Sequence, residues 1–308
     1  MGVELIKVKA GDDGMRLNRW FLKYYPGLSL GKFNKLLRTK QIKVDGAKAE
    51  ASLKVKEGQE IRIPPLDAEK VVSTNVGISD KDKEFIRSLV IYENENMIIL
   101  NKPAGLAVQG GTNTKRHIDG MLSGLATEQD ETPKLVHRID KETSGVLVLA
   151  RNRKEAEILT LAFKEKKLNK TYLALVRGVP KLREGDIKAP LEKVGEKMKV
   201  LAEGKKAITK YRVIDTIGDN FALVEASPIT GRTHQIRAHM EYIGCPIVGD
   251  DKYFGNKREH LKNFANKLFL HAYKIDLSGI YNKKLVVSAP VPEHFKDALE
   301  MLGIVYKE

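Results

Sequence analysis

The sequence predicts an α+β protein in two parts. A small N-terminal α/β module precedes a larger domain whose mixed, mostly antiparallel β-sheet is flanked by helices. Three observations predict it. Residues 1–65 hold two short amphipathic helical stretches and two short strands, and they concentrate the positive charge of the chain. Residues 66–88 lack a sustained apolar period and read as a linker. From residue 89 to 308, strand-like runs are interrupted by single helices without a regular β-α-β alternation, the pattern of an α+β domain.

The first helix is marked by Leu17, Trp20, Phe21 and Tyr24, which recur at steps of three and four. The stretch "YPGLS" breaks it, and Ser29 is placed to cap the next helix. Leu30, Phe33, Leu36 and Leu37 mark that second helical face. "QIKVDG" reads as a strand running into an Asp-Gly turn, and "EGQEIRIPP" as a second strand closed by prolines. Past the linker, "LVIYENENMIILNKPAG" reads as strand, turn, strand and loop, and "HIDGMLSGLA" as a short helix. "LVHR" and "GVLVLAR" are expected as strands around a charged loop, followed by a helix in "KEAEILTLAFKEKK" and a strand in "KTYLALVRG". Strands at 208–214, 221–226 and 268–276, a helix at 233–243 and a terminal helix at 293–301 complete the expectation.

Composition narrows the function. With 308 residues, 42% hydrophobic and 31% charged, the chain is long enough for two globular domains. No apolar run is long enough to span a membrane. The N-terminus has no secretory or transit pattern, and Ile6 spoils a myristoylation reading of Gly2. A single cysteine, Cys245, excludes an intramolecular disulfide and thiolate-rich metal sites and fits a cytoplasmic protein. The net charge of +14 favours a polyanionic partner. From Arg16 to Lys48 nine basic residues meet one acid, Asp45, a net +8 over 33 residues. The basic residues of the second helix lie off its apolar face, where they can follow phosphates.

Three polar clusters sit at strand ends or loops: "HRIDKETSG" (137–145), "KTY" (170–172) and "GRTHQIRAHM" (231–240). A metal site is disfavoured, because His234 and His239 are five apart and so about 140° apart on a helix. A serine hydrolase is poorly supported, because Ser144 lacks the GxSxG elbow. "VQGGTNT" has glycines but no phosphate-loop lysine. What remains is a carboxylate working beside a cation. Asp140 follows Arg138, and a partner arginine such as Arg237 would oppose the rise in pKa that a dry site imposes on a carboxylate. Tyr172 offers a phenol able to stack on a base and to exchange a proton.

These clusters together resemble a family. "HRIDKETSG" closely resembles the HRLDxxTSG signature of the RluA family of pseudouridine synthases, with Ile139 for the usual Leu. "NKPAGLAVQGG", "KTYLALVRG", "SPITGRTHQIRAHM", "GCPIVGDDKYFG" and "LFLHAYKI" resemble its other segments, in order, from about residue 90 to the end. Gln109 stands where the leading segment commonly has His. "AVQGG" and the "AP" and "LEK" at 189–193 are most similar to the C-type branch, which acts on large-subunit ribosomal RNA. The N-terminal part resembles an S4 domain, a small RNA-binding module, although its helix basic residue, Lys32, comes late after Ser29.

The resemblance implies isomerisation of uridine to pseudouridine in large-subunit ribosomal RNA, by base flipping and without cofactor or metal. It makes Asp140 the essential carboxylate, Tyr172 the group that packs on the base and can accept a proton, and Arg237 the partner of Asp140. Arg138 is implied to fill the gap left by the flipped base, with Arg232, His234 and Gln235 also at the RNA. Arg16, Arg19, Lys32, Lys35, Arg38 and Lys43 are expected to bind RNA through the S4-like module. A monomer acting in the cytoplasm, with no membrane partner, is the matching expectation. Alternatives are another ribosomal RNA site, transfer RNA, or a non-catalytic ribosome-assembly factor, which would not need the full Asp140, Tyr172 and Arg237 set.

Overall fold

A computed structural model describes residues 3–25, 28, 30–66, 78–111, 114, 116–127, 131–254, 267–281 and 283–306. The chain divides into two compact units, residues 1–77 and 78–308. Among the described residues, no helix is long and apolar enough to cross a membrane.

The first unit runs β1 (Glu4–Lys7), α1 (Leu17–Tyr24), α2 (Leu30–Arg38), β2 (Lys43–Val44), β3 (Ala47–Lys48) and β4 (Glu60–Ile63). Its antiparallel sheet has the order β1-β4-β2-β3. The apolar faces read from the sequence are the ones buried. Leu17, Trp20 and Phe21 of α1 meet Phe33, Leu36 and Leu37 of α2, with the rings of Phe21 and Phe33 4.7 Å apart. Asp45 and Gly46 both adopt positive φ, as a two-residue hairpin turn of this hand requires. The Asp45 carboxylate offsets that strain by accepting from the Glu60 N–H at 2.8 Å and the Gln59 amide at 2.7 Å. The expected cap, Ser29, lies outside the described residues.

The second unit begins with α3 (Asp80–Ser88), β5 (Val90–Glu93), β6 (Met97–Lys102) and α4 (Ile118–Met121). It continues with β7 (Lys134–Leu135), β8 (Ser144–Ala150), α5 (Arg153–Glu165), β9 (Asn169–Arg177), β10 (Glu184–Lys188), β11 (Leu191–Val194) and β12 (Lys197–Val200). It ends with β13 (Ile208–Ile217), β14 (Phe221–Pro228), α6 (Gln235–Tyr242), β15 (Leu270–Asp276), α7 (Ser278–Tyr281), β16 (Val286–Ser288) and α8 (Glu293–Met301). The expected linker is therefore too long at its C-terminal end. Ser79 caps α3 by accepting from the Asp82 N–H at 3.2 Å, and acids fill the first turn. Only Ile86 of this helix is fully buried, so the sequence shows little apolar period there. Residues 67–77 of the expected linker lie outside the described residues.

Among the described residues the main sheet has ten strands, in the order β10-β13-β14-β9-β15-β8-β6-β5, with β16 on β15 and β7 on β8. Every pairing is antiparallel except β15 with β8. Strand β8 is buried at all seven positions, which explains the unbroken apolar run of its sequence. At its start it meets β15 very closely. A Cβ on Gly145, whose φ is +106°, would lie 2.2 Å from the Ala272 carbonyl oxygen, so only glycine fits. Ser144 and His271 are hydrogen-bonded at 2.9 Å across the same junction, and the other imidazole nitrogen meets the Ala289 carbonyl at 3.2 Å. This buried pair ties two parallel strands together. The core has two halves, one around β6 and β8 and one around β9 and β14, and Tyr172 packs against both.

Candidate active site

The loop from Val136 to Thr143 carries the charged cluster to the start of β8. Only Lys134–Leu135 pairs as a strand before it, so the expected strand "LVHR" stops early. The reason is His137. Its Nε2 accepts the Val148 N–H at 2.8 Å, and its ring stacks on Phe163 at 4.3 Å, so a side chain takes a place that strand pairing would fill. Burial pulls this imidazole down to about 3, with Lys170 adding to the shift, which keeps it a neutral acceptor. The Thr143 N–H then donates to the Asp140 carbonyl at 3.1 Å and closes a tight turn. Below the turn lies Lys102, fully buried. Its ammonium donates to the carbonyls of Pro103, Leu106 and Lys141 at 2.8, 2.8 and 2.9 Å. The Gly105 N–H also donates to the Lys141 carbonyl, at 2.9 Å. The backbone next to Asp140 is thus clamped by the loop after β6.

The opposite wall is the loop from Pro228 into α6. Gln235 organises it. Its oxygen accepts from the Thr230 hydroxyl at 2.6 Å and the Arg232 N–H at 3.1 Å, and its nitrogen donates to the Ile208 carbonyl and the Thr209 hydroxyl, both at 2.9 Å. Gln235, expected at the RNA, lines the cavity with its amide turned to the fold. It is buried, and its amide is committed to shaping the loop. His239 is buried too, between the Thr209 hydroxyl at 2.8 Å and the Ala189 carbonyl at 2.9 Å. Among the described residues, no group of His, Cys, Asp or Glu is arranged to hold a metal.

Arg237 is the central cation. Its Nε and Nη2 donate to the two carboxylate oxygens of buried Asp250, each at 2.7 Å, and its Nη1 stands 3.5 Å from Asp140 Oδ2. Burial works against the guanidinium charge, and the two carboxylates outweigh it. The Tyr253 ring lies under the guanidinium, 5.1 Å away. The Tyr253 hydroxyl accepts the Met198 N–H at 2.8 Å and meets His234 Nδ1 at 3.1 Å. This contact holds His234 in a left-handed backbone conformation with its Nε2 3.8 Å from Asp140. Burial lowers the His234 pKa; Asp140 opposes the shift and Arg237 reinforces it.

Asp140, Tyr172 and Arg237 therefore converge, as the sequence suggests, in a cavity of about 510 Å³. Arg138, Arg232 and His234 line it as well, with Arg138 and Arg232 exposed. Burial pushes the Tyr172 phenol far above its ordinary pKa, and the Asp140 charge adds to the shift. The phenol is thus held neutral in the cavity before substrate binds. In the first unit, Arg16, Arg19, Lys32, Lys35 and Arg38 are exposed and Lys43 is half-buried.

Sequence reasoning assigned no role to Lys102, Asp250, Tyr253 or Lys170. Asp250 carried one local signal. Gly249 before it has φ +73°, and a Cβ there would meet the Lys267 carbonyl oxygen at 1.8 Å, so "GDD" marks a forced turn. Lys102 ends an apolar strand, a place where a lone lysine must find acceptors. Lys170 opens the polar cluster "KTY" and Tyr253 lies in "GCPIVGDDKYFG", but neither stretch says what its side chain meets.

Comparison with known proteins gives a consistent picture. The family described as RNA pseudouridylate synthase matches residues 96–242. The protein of Rickettsia felis named ribosomal large subunit pseudouridine synthase C is 42% identical over 294 residues, covering 92% of this chain and 95% of the relative. Its namesake in Escherichia coli K12 is 32% identical over 313 residues, covering 97% of each chain. The solved structure of human RNA pseudouridylate synthase domain containing 4 is similar with a TM-score of 0.62 and 28% identity. It covers 72% of this chain and 97% of its own.

Proposed function

This chain belongs to the RluA family of RNA pseudouridine synthases, and on that premise we propose that it converts uridine to pseudouridine in large-subunit ribosomal RNA, with Asp140 as the essential carboxylate. The observation that carries the assignment of roles is the Asp140–Arg237 pair in the cavity, with Arg237 locked by Asp250.

The reaction breaks the bond from uracil N1 to ribose C1′ and forms one from C5 to C1′. The C5 proton leaves and N1 gains one, so atoms and electrons balance without a cofactor. Asp140 acts at the ribose, by attack on C1′ or by removing the proton whose loss gives a glycal. Either role needs a carboxylate held away from bulk water, and Arg237 stands 3.5 Å from it. The detached base stays against Tyr172 while it turns. Flipping the uridine out of its stack costs a few kcal/mol. Arg138, exposed at the cavity rim, fills the vacated space, and Arg232 and His234 hold the RNA at the opposite wall.

The first unit acts as an S4-type RNA-binding module. Its exposed Arg16, Arg19, Lys32, Lys35 and Arg38, with Lys43, supply phosphate contacts. A monomer acting on ribosomal RNA in the cytoplasm is the matching reading. The test is tritium release from C5-labelled uridine in unmodified ribosomal RNA, followed by mapping of pseudouridine in RNA from cells lacking the gene. Release from large-subunit RNA and loss of specific pseudouridines there are expected. Release confined to transfer RNA would overturn the substrate assignment.

A further inference from the structure

Lys170 is a half-buried cation in the cavity wall that no anion among the described residues meets. It stands on β9 two residues before Tyr172, so the two side chains share one face of the strand, about 7 Å apart along it. Both line the cavity, and Thr171 between them does not. The nearby carboxylates are engaged elsewhere: Asp140 faces Arg237 and His234, and Asp250 binds Arg237. Among the described residues no acid pairs with Lys170, and the charge that bears on it is that of Lys166, of the same sign. Lysine is rarely withdrawn from water without a partner, because the lost hydration has to be repaid by another anion or acceptor. The described residues supply none, so the ammonium is set to take its anion from a ligand.

We propose that Lys170, with Lys166 beside it, binds a phosphodiester of the RNA adjoining the uridine that packs on Tyr172. The inference rests on the function proposed above and deepens it. A neutral uracil carbonyl would leave the ammonium charge unmatched, whereas a phosphate oxygen matches it. The base and its backbone would then be gripped from neighbouring positions on one strand. Lys170 is on this view a positioning residue, fixing where the ribose lies relative to Asp140, and it takes no part in bond-making.

The experiment compares full-length wild type, Lys170→Met, Lys170→Gln and Lys170→Arg by tritium release from unmodified large-subunit ribosomal RNA across a range of potassium chloride concentrations. Loss of one charge-assisted phosphate contact raises KM about tenfold at low salt in the Met and Gln variants. It also makes the dependence of log kcat/KM on log salt shallower by about one. The Arg variant restores most of both, because it keeps the charge. An unchanged KM and salt slope in both neutral variants would overturn the proposal. A fall in kcat at unchanged KM would overturn it too, by moving Lys170 into the chemistry on the base. Two neutral replacements of different polarity keep the outcome readable if one of them folds poorly. Wild type that releases no tritium from any ribosomal RNA would instead overturn the proposed function.

Discussion

Asp250 grips Arg237 through both of its carboxylate oxygens at 2.7 Å and leaves one guanidinium nitrogen to face Asp140 at 3.5 Å. The strong bond in the pair is thus with the supporting acid, and the weaker contact is with the reacting one. Asp140 is not locked in a bidentate pair of its own, so its oxygens remain open to a substrate.

Neutralising the supporting acid separates these functions. Asp250→Asn leaves a buried guanidinium without its main counterion and costs about 3 kcal/mol of folding stability. It also lowers kcat about a hundredfold by releasing Arg237 from its orientation. Urea unfolding and single-turnover rates measure the two effects, and a variant within about 1 kcal/mol of wild type would refute the support role.

Asp140→Asn removes the reacting charge at nearly constant volume. Pseudouridine formation is lost while RNA affinity stays within about threefold, because the phosphate contacts lie elsewhere. Tritium release within about tenfold of wild type would show that another group does the chemistry.

Lys102→Met removes the ammonium that the carbonyls of Pro103, Leu106 and Lys141 share, leaving the Lys141 carbonyl with only the Gly105 N–H. Burial pulls the Lys102 ammonium down to about 7, against the opposing charges of Glu142 and Asp140, and its three acceptors favour the charged form. A loss of about 2–4 kcal/mol is expected on thermal or chemical unfolding. A parallel fall in kcat follows as the turn bearing Asp140 loosens. Full activity with full stability would show that the clamp is dispensable.

His137 gives a pH dependence with a definite sign. Its folded pKa of about 3 lies below the ordinary 6.5, so between these values the unfolded chain binds a proton that the native state does not. Its contribution is complete above about pH 6.5 and is lost as pH falls toward 3, by about 1.4 kcal/mol per pH unit. His137→Asn removes this slope from unfolding free energies measured between pH 7 and 5. An identical slope in the variant would show that the imidazole titrates normally.

The first unit is tested by charge. The double variant Lys35→Ala and Arg38→Ala weakens ribosomal RNA binding and makes log affinity against log salt shallower by about two. Affinity equal to wild type at every salt concentration would place RNA contacts away from α2.

Much of this site was legible because its residues are close together in sequence. Asp140 and Arg138 share one polar run ahead of an apolar one, and Tyr172 and Arg237 sit in two further polar clusters. The resemblance assigned their roles. Gln235 shows the limit. A polar residue in a polar loop reads as a ligand-binding group, yet four hydrogen bonds within the fold consume its amide. The end of the linker was missed for the converse reason, since α3 buries too little apolar surface to leave a period.

The sequence by itself determined the α+β class, the apolar faces of α1 and α2, the buried strand β8 and the polar run that carries Asp140 to its start. Each is encoded in local spacing or in a short run of residues. Only the tertiary structure decided that Asp250 holds Arg237, that Tyr253 sets His234, and that Lys170 faces the cavity without an anion. The two pairs join residues 13 and 19 positions apart, and electrostatics acts through the distances the fold creates, which no local pattern records.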